Sequence, residues 1–456
     1  MKRFSACILI AMSTACAART APAAAAARGA TSMSEASVRS HMEFLAGDAL
    51  NGRGSGTRDE WIAAAYIGSH MRRLGIEPLG DDGGYVQKVT IERSELNTPP
   101  VLSVGDTRFT HGTGIYVSQL TAAKISGPLQ RYKEGTPVAV GAVLLVPRNV
   151  TVTASATTGA VIVISPEAAQ ARARRATAAP RPLALQRIVG TPARASIAVD
   201  AETYPALDTV SDGTVVTLTA DAKPPQNAYT WNALGRLAGS SSRDAADVIL
   251  LSAHLDHLGN GRGPAVSGGD NIFNGADDDA SGSVAVLELA ETLAMGPRPQ
   301  RTVMFAWFGS EESGGFGARH FIDAPPVPLS TIVANLEFEM IGRPDPKVPP
   351  HTLWLTGYER SNLGPELAKR GARIVQDPHP DQNFFARSDN IQLARRGVIA
   401  QTVSSFGLHK EYHTPADEIR FVDFAHMTEA IRSMLEPIRW LANSAFRPGW
   451  LPGKKP

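Results

Sequence analysis

After residue 227 the chain alternates short apolar runs with amphipathic stretches. The apolar runs have the length of buried strands and lie at residues 248–251, 302–308, 332–340, 352–355 and 397–403. Helical periodicity is found at residues 281–295, 363–370 and 422–443. Repeated strand–helix–strand units of this kind predict an α/β fold, a mostly parallel mixed sheet covered by helices on both faces.

Two helices and a β-rich segment are predicted ahead of this region. Ser34 can cap the first helix, and residues 59–74 form the second, with Trp61, Ile67 and Met71 on one face. Between residues 102 and 216, short β-branched runs separated by Gly, Pro, Ser and Thr predict a smaller inserted β-rich domain. The predicted division is residues 33–110 and 225–456 for the main domain and 111–224 for the inserted domain.

The N-terminus has the order of a secretory signal. Lys2 and Arg3 precede an apolar run at residues 6–12, which is too short for a transmembrane span, and small residues follow. Residues 1–32 are therefore predicted to be a signal peptide and a disordered lead-in, and the protein to be exported to the periplasm or the extracellular space. Two outcomes stay open, because cleavage would release a soluble protein whereas Cys16 could carry a lipid anchor.

Composition and net charge indicate a globular protein and bear on which partners it could bind. Hydrophobic residues make up 43% of the 456 residues and charged residues 20%, values typical of a globular protein with a real core. The formal net charge of +1 gives no reason to expect nucleic acid as a partner. Both cysteines, Cys7 and Cys16, lie in the predicted signal, so stability must come from the core. The oligomeric state is not indicated by the sequence.

Side chains able to hold a metal ion follow two of the predicted strands. His254 comes shortly after the first apolar run, two residues before Asp256, whose carboxylate could accept the second ring N–H. Glu311 and Glu312 follow the second run, and neighbouring side chains point in different directions. One glutamate can therefore bind metal while the other acts as a general base. These residue types at the carboxyl ends of parallel strands indicate a hydrolytic zinc site.

Two further segments add candidate ligands. Glu337 and Glu339 alternate along an otherwise apolar strand, where a carboxylate needs a partner and a metal is one choice. His413 adds a late histidine in a predicted loop.

Taken singly, several of these residues also have a structural interpretation. A hydrogen-bonded structural histidine would explain His254, and His257 is interpreted as structural. The triplet Asp277-Asp278-Asp279 suits a solvated turn at a helix N-terminus or a calcium loop, although calcium ligands are normally spaced further apart.

Joined in this order, the motifs resemble those of the co-catalytic zinc aminopeptidases and glutamate carboxypeptidases of metallopeptidase family twenty-eight. The resemblance covers most of the main domain and extends more weakly to Asn51-Gly52-Arg53-Gly54. It is carried by His254-Leu255-Asp256, Gly275 to Gly282, Glu311-Glu312, Phe338-Glu339-Met340-Ile341-Gly342, Ser388-Asp389 and Tyr412-His413-Thr414-Pro415-Ala416-Asp417.

The resemblance implies a site for two zinc ions bridged by Asp278. One ion would also be held by His254 and Glu339. The other would also be held by Glu312 and His413.

The same resemblance implies three catalytic roles. Glu311 would be the general base for a zinc-bridging hydroxide that attacks the peptide carbonyl. Asp256 would orient His254, and Tyr412 would donate a hydrogen bond to the oxyanion.

One ligand position departs from the family's pattern. The family usually has Asp where Glu339 stands, and the extra methylene lengthens the side chain by roughly 1.5 Å, one C–C bond. Glu337, on the same face of the strand, is the alternative ligand. The inserted segment resembles the protease-associated domain that often interrupts this family, most clearly at residues 141–146 and 159–163.

The function implied is that of a secreted zinc-dependent exopeptidase acting on peptide substrates, with an aminopeptidase favoured. The alternatives are a carboxypeptidase of the same family, a glutaminyl cyclase and an inactive binding homologue. An aminopeptidase needs an acidic group near the free amine, for which the candidates are Asp277, Asp279 and Asp389. A carboxypeptidase needs an arginine, for which the candidates are Arg319, Arg343 and Arg387. The residues that bind substrate are otherwise not identified by the sequence.

Overall fold

The computed structural model of the chain describes residues 33–148, 150, 152, 160–166, 183–261 and 269–456. The predicted signal peptide and lead-in, with Cys7 and Cys16, lie outside the described residues. Among the helices that the structure describes, none is both long enough and apolar enough to cross a membrane.

The strands and helices are numbered in chain order. The strands are β1 (Glu77–Pro78), β2 (Val86–Glu95), β3 (Val101–Val104), β4 (Thr107–Thr110), β5 (Ile115–Leu120), β6 (Lys124–Arg131), β7 (Val143–Leu145), β8 (Ile162–Pro166), β9 (Ala184–Ile188), β10 (Ala195–Val199), β11 (Val215–Thr219), β12 (Gln226–Leu237), β13 (Val248–His254), β14 (Gly259–Asn260), β15 (Ile272–Phe273), β16 (Thr302–Phe308), β17 (Ile332–Phe338), β18 (Leu353–Leu355), β19 (Ile374–Gln376) and β20 (Ala400–Ser404). The α-helices are α1 (Glu35–Leu45), α2 (Arg58–Arg73), α3 (Tyr204–Asp208), α4 (Gly282–Met295), α5 (Phe316–Asp323), α6 (Leu363–Lys369), α7 (Asn390–Arg395) and α8 (Phe424–Asn443).

The larger sheet has the strand order β19-β18-β20-β17-β13-β16-β12-β2-β9, with β1 also paired to β12. At its centre β20, β17, β13 and β16 are parallel. On one side β12, β2 and β9 continue antiparallel, and on the other β18 pairs antiparallel with β20. The parallel centre brings the carboxyl ends of four strands to one edge, where ligands bind in folds of this kind.

Helices cover both faces of this sheet. Leu251 of β13 faces one side and packs in a core that includes Ile67 of α2 and Ile431 of α8. Its neighbour Leu250 faces the other side and packs in a core that includes Phe321 of α5. Since successive side chains of a strand point to opposite faces, this alternation shows a sheet buried on both sides. The α/β prediction is confirmed.

A second sheet, of order β4-β3-β11-β6-β7-β8-β10-β5, has its own core. Its strands lie between Val101 and Thr219, so it begins before the predicted boundary at residue 111. Within this interval, β9 pairs with β2 of the larger sheet, Leu185 opposite Ser94. The inserted segment therefore adds an edge strand to the main sheet. The domain division and the likeness to a protease-associated domain stay predictions.

The N-terminal helices differ from expectation in one respect. Ser34 caps α1, its hydroxyl accepting a hydrogen bond of 3.2 Å from the backbone N–H of Ser37. In α2, Ile67 and Met71 are buried, but Trp61 is 44% exposed and does not lie on the buried face as predicted. Helices α5 and α7 were missed, because helices this short carry little periodic signal.

The buried side chain of Arg53 joins three segments next to the sheet edge. Only 1% of the residue is exposed. Its guanidinium donates to the backbone carbonyls of Leu45, Leu255, Asn274 and Gly275. It thereby holds together the end of α1, the chain after β13 and the turn that precedes Asp278.

Replacement of Arg53 by leucine is expected to lower the free energy of unfolding by about 3 kcal/mol or more, because buried carbonyls lose their donors. Urea denaturation followed by circular dichroism measures the change. Arg58→Leu removes the same charge from an exposed position and is expected to change stability little. Equal effects of the two substitutions would contradict the role given to Arg53.

Candidate metal centre

The carboxyl ends of the central strands bring the candidate residues together. β13 ends at His254, β16 ends shortly before Glu311, and β17 ends directly before Glu339. Because these strands are parallel, their ends meet at one edge of the sheet. Asp278 comes from the turn that precedes α4, and His413 comes from the loop between β20 and α8.

The carboxylate of Asp278 lies between two groups of side chains. Its Oδ1 is 3.1 Å from Nε2 of His254. Its Oδ2 is 3.0 Å from Nε2 of His413 and 3.8 Å from Nδ1 of His257. A carboxylate that presents one oxygen to each group is placed to bridge two cations.

In the described part of the chain, metal-ligand atoms converge in two groups, and within each group they lie within 4.8 Å of one another. The first group consists of His254, Asp278 and Glu339. The second consists of His257, Asp278, Glu312 and His413. The structure thus brings together every ligand that the family resemblance implied. Glu337, the alternative to Glu339, is buried but belongs to neither group.

His257 lies in the second group, although it was predicted to be a structural histidine. Its Nδ1 is 2.9 Å from Oε1 of Glu312, and its ring centroid is 5.6 Å from that of His413. The turn before Asp278 closes over the ring, since a Cβ at Gly275 would lie 2.5 Å from it. One signal was present in the sequence, because His257 directly follows Asp256 at the end of a buried strand.

The facing atoms of these groups approach one another without hydrogen bonding. In the described part of the structure, Nε2 of His254 and Nδ1 of His257 are buried and make no hydrogen bond, in spite of the short distances to carboxylate oxygens. Lone pairs that converge in this way fit a shared cation. Imidazole nitrogens and carboxylate oxygens together are a donor set that suits zinc.

Asp256 positions two functional side chains. The ring Nδ1 of His254 lies 3.1 Å from the backbone oxygen of Asp256, whereas the Asp256 carboxylate is 3.7 Å away. The backbone carbonyl, rather than the expected carboxylate, is therefore the closer partner of this ring. The carboxylate instead accepts hydrogen bonds from the backbone N–H of Glu311, at 2.9 Å, and from the hydroxyl of Ser55.

Glu60 of α2 is a second buried carboxylate near the site, and it was not predicted from the sequence. The residue has no exposed surface. It accepts hydrogen bonds from the backbone N–H of Ser310 at 2.8 Å, the hydroxyl of Thr230 at 2.7 Å and the backbone N–H of Gly56 at 3.0 Å. It therefore fixes the chain directly before Glu311. Its contact with Ser310 spans 250 residues, so no local pattern could reveal it.

The outer acids of the Asp277-Asp278-Asp279 triplet bind backbone groups. Asp277 accepts from the N–H of Gly342 at 2.7 Å and faces Nε2 of His409 at 2.9 Å. Asp279 accepts from the N–H groups of His254, Gly282 and Met340. The three carboxylates therefore do not point toward one centre, and only Asp278 belongs to a metal group.

Carboxylates dominate the electrostatics of the centre. Burial raises the pKa of Glu311 well above its usual range, and the charges of Asp389 and Glu312 raise it further. Burial also raises the pKa of Asp389, to about 7. Burial opposes a charge on His413, yet the carboxylates of Glu312 and Asp278 raise the pKa of that ring to about 10. Such a surplus of negative charge favours bound cations.

Tyr412 lies beside the metal groups. Its ring stacks on that of His413 with centroids 3.8 Å apart, and its hydroxyl is 3.5 Å from Nη2 of Arg387. Burial raises the pKa of the Tyr412 hydroxyl well above its usual value, and the charges of Asp278 and Glu312 add to the shift. The phenol therefore stays protonated and can donate a hydrogen bond.

A cavity of about 50 Å³ opens onto this centre. Its polar wall includes Glu311, Arg387 and Tyr412. Its apolar wall is formed by Met340, Trp354, Phe384 and Phe406, which pack as one cluster.

Comparison with known proteins places this centre in a family. Residues 232–437, which include both metal groups, match the model of peptidase family M28. An aminopeptidase of Pseudomonas aeruginosa is 37% identical over 100 residues, which are 22% of this chain and 16% of that protein. A Mycobacterium tuberculosis protein named probable lipoprotein aminopeptidase LpqL is 31% identical over 137 residues, 30% of this chain and 24% of the relative. These matches span a quarter or less of the curated relatives' length.

Two solved structures share the fold over most of the chain. The aminopeptidase from Aneurinibacillus sp. strain AM-1 has a TM-score of 0.53 at 16% identity, with 91% of this chain and 96% of that chain covered. A zinc aminopeptidase from Bacillus subtilis has a TM-score of 0.51 at 20% identity, with 90% and 96% covered. The match of residues 232–437 to the model of peptidase family M28 confirms the family that the motifs resembled. The two solved structures show that the fold is shared.

Proposed function

We propose that the protein is a zinc-dependent exopeptidase that removes N-terminal residues from peptides. The carboxylate of Asp278 carries this proposal, because its two oxygens face separate groups of metal ligands. Glu311 lines the cavity beside them, as a general base must. The match to peptidase family M28 and the aminopeptidase names of several relatives support the proposal.

Two zinc ions are the cofactors that the ligands fit. The first ion would be held by His254, Asp278 and Glu339, and the second by Asp278, Glu312, His413 and His257. We include His257 because its Nδ1 faces the same Glu312 oxygen as His413. Both ligand sets are complete, which argues against a glutaminyl cyclase with a single zinc and against an inactive homologue.

The chain supplies proton transfer and orientation. Glu311 takes the proton of the attacking water and returns it to the leaving amine, while Asp256 holds the backbone of Glu311 in place. Tyr412 donates a hydrogen bond to the oxyanion that forms on the peptide carbonyl. Zinc, when bound, acts as a Lewis acid toward that carbonyl and lowers the pKa of water.

Asp389 is the group that would bind the free amine. Of the three candidate acids, Asp277 and Asp279 are occupied by backbone N–H groups. Asp389 borders the same cleft as Glu311, and its Oδ2 makes no hydrogen bond within the described residues. A carboxypeptidase remains the second candidate, because Arg387 also lines the central cavity.

The apolar wall of the central cavity supplies the side-chain preference. We expect the N-terminal residue of the substrate to be apolar, since Trp354, Phe384 and Phe406 would contact it.

Export is part of the proposal and rests on the pattern of residues 1–32. One relative is named a lipoprotein aminopeptidase, which is consistent with a lipid anchor at Cys16. The periplasm or the extracellular space is the proposed location.

Metal-free protein is expected to bind two equivalents of zinc in calorimetric titration. His257→Ala should weaken one of the two binding steps by at least about tenfold and leave the other unchanged, because it removes a ligand from one group only. His320→Ala, a histidine outside both groups, serves as the control. One equivalent in the wild type would rule out the two-ion site, and an unaltered titration of His257→Ala would return that residue to a structural role.

A leucyl peptide with a free amine is expected to be hydrolysed by the zinc-loaded protein, while the same peptide N-acetylated is not. Glu311→Gln should lower kcat by about 10²- to 10⁴-fold, because it removes the general base. Glu436→Gln, on the exposed surface of α8, is the matched control. Equal rates of hydrolysis for the free and the N-acetylated peptide would contradict the aminopeptidase proposal and favour a carboxypeptidase.

Asp389→Asn is expected to raise KM for free peptides about tenfold with a smaller change in kcat, because it removes the charge that binds the ground-state amine. Steady-state kinetics on leucyl peptides measures both parameters, and Asp381→Asn, an exposed aspartate, is the control. A fall in kcat with KM unchanged would show that Asp389 acts elsewhere in the reaction.

A further inference from the structure

A basic cavity of about 310 Å³ lies between the inserted segment and the main domain. Among the described residues, the charged side chains that line it are five arginines and one acid, Asp323. The arginines are Arg187, Arg194, Arg319, Arg395 and Arg396. In a chain whose formal net charge is only +1, this is a strong local concentration of positive charge.

Both parts of the chain contribute to this cavity. Arg187 lies on β9 and Arg194 directly before β10, so they come from the inserted segment. Arg319 lies on α5, and Arg395 ends α7, so they come from the main domain. The cavity therefore exists only where the two parts meet.

Arginines of this cavity form ion pairs with carboxylates of the chain. Arg187 pairs with Glu92 at 2.5 Å, and Arg396 with Asp323 at 3.5 Å. At another part of the wall, burial lowers the pKa of Arg395, and the charge of Arg319 lowers it further. Two guanidinium groups that repel each other at the wall of a cavity would be stabilised by an anion between them.

Arg319 is held in place for such a role. Gln119 lies on β5 of the inserted segment. With its side-chain amide oriented so that the oxygen faces Arg319, this oxygen accepts a hydrogen bond of 2.7 Å from Nη1 of Arg319. The guanidinium therefore has a defined orientation across the boundary between the two parts. A planar guanidinium of fixed orientation suits a carboxylate, which it can bind through two parallel hydrogen bonds.

The basic cavity adjoins a second cavity that borders the candidate active site. The second cavity, of about 300 Å³, shares Arg319, Arg395 and Gln119 with the first. This second cavity extends to Glu311 and Asp389. The two neighbouring cavities therefore outline a path from the general base to the arginines.

We propose that the arginine cavity binds a carboxylate on the leaving part of a peptide substrate, so that the protein prefers short peptides with a carboxylate downstream of the cleaved bond. The proposal rests on the proposed peptidase function and specifies its substrate class. The carboxylate could be the C-terminus of the peptide or an acidic side chain, and both would be recognised by the same guanidinium groups. The amine would then lie at the acidic end of the path and the carboxylate at the basic end.

The test compares kcat/KM for leucyl peptides of two to five residues as free acids and as C-terminal amides. At the length that spans the path, the acid is expected to be hydrolysed at least about tenfold more efficiently than the amide. Amides that carry a glutamate in the leaving part separate the two sources. If these amides are hydrolysed as efficiently as the free acids, the arginines bind an acidic side chain. If they are hydrolysed as slowly as the other amides, the arginines bind the C-terminal carboxylate.

Arg319→Gln and Arg395→Gln are expected to lower the rate for the acid to that for the amide, and so to abolish the preference. Arg373→Gln removes a charge from an exposed position outside the cavity and should retain the preference. Thermal melting checks that each variant is folded. Calorimetric binding of the acid and the amide to Glu311→Gln gives the same comparison without turnover, and tighter binding of the acid is expected.

Leucyl p-nitroanilide, which has no downstream carboxylate, separates failure of this inference from failure of the proposed function. If the wild type cleaves neither the anilide nor any free peptide, the proposed function is wrong. If it cleaves them but treats acids and amides equally at every length, the arginine cavity does not bind substrate and this inference alone is overturned. The inference is also overturned if the arginine variants lower the melting temperature but keep the preference.

Discussion

The site depends on the concentration of carboxylates at one buried edge of a parallel sheet. Asp278 presents an oxygen to each of two ligand groups, and Glu312 lies close to both histidines of the second group. Without cations, these charges would repel one another in a poorly solvated place, as the raised pKa of Glu311 indicates. The fold itself therefore favours bound cations at this edge, because parallel strands bring their carboxyl ends, and the acidic residues that follow them, to the same place.

Buried polar side chains from distant segments hold this edge in position. Asp256 and Glu60 accept hydrogen bonds from the backbone on either side of the turn after β16, at Glu311 and Ser310. Arg53 has the equivalent role for carbonyl groups around the turn before Asp278. Each of these groups is costly to bury alone and is tolerated because it satisfies several backbone groups at once. The side chains proposed to be catalytic can then keep fixed positions although they lie in loops.

Together with the main domain, the inserted segment makes one end of the cleft basic, while the other end is acidic. The metal centre and Asp389 are acidic, whereas the cavity beneath the inserted segment is lined by arginines from both parts of the chain. A short peptide is itself a dipole, with an amine at one end and a carboxylate at the other. A cleft with opposite charges at its two ends matches such a substrate and would disfavour the reverse orientation.

Residue type and local spacing were enough to predict most strands and helices of the main sheet. The apolar run at residues 302–308 coincides with β16, because a strand buried on both faces is apolar throughout. His254, Asp278, Glu312, Glu339 and His413 were predicted as one ligand set only through the resemblance of their motifs to a known family, and the structure brings them together. By contrast, His257, Glu60 and the arginine cavity required the tertiary structure. Their roles depend on distances between residues that are far apart in the chain. Tertiary packing alone decides these distances, so a local sequence pattern cannot predict them.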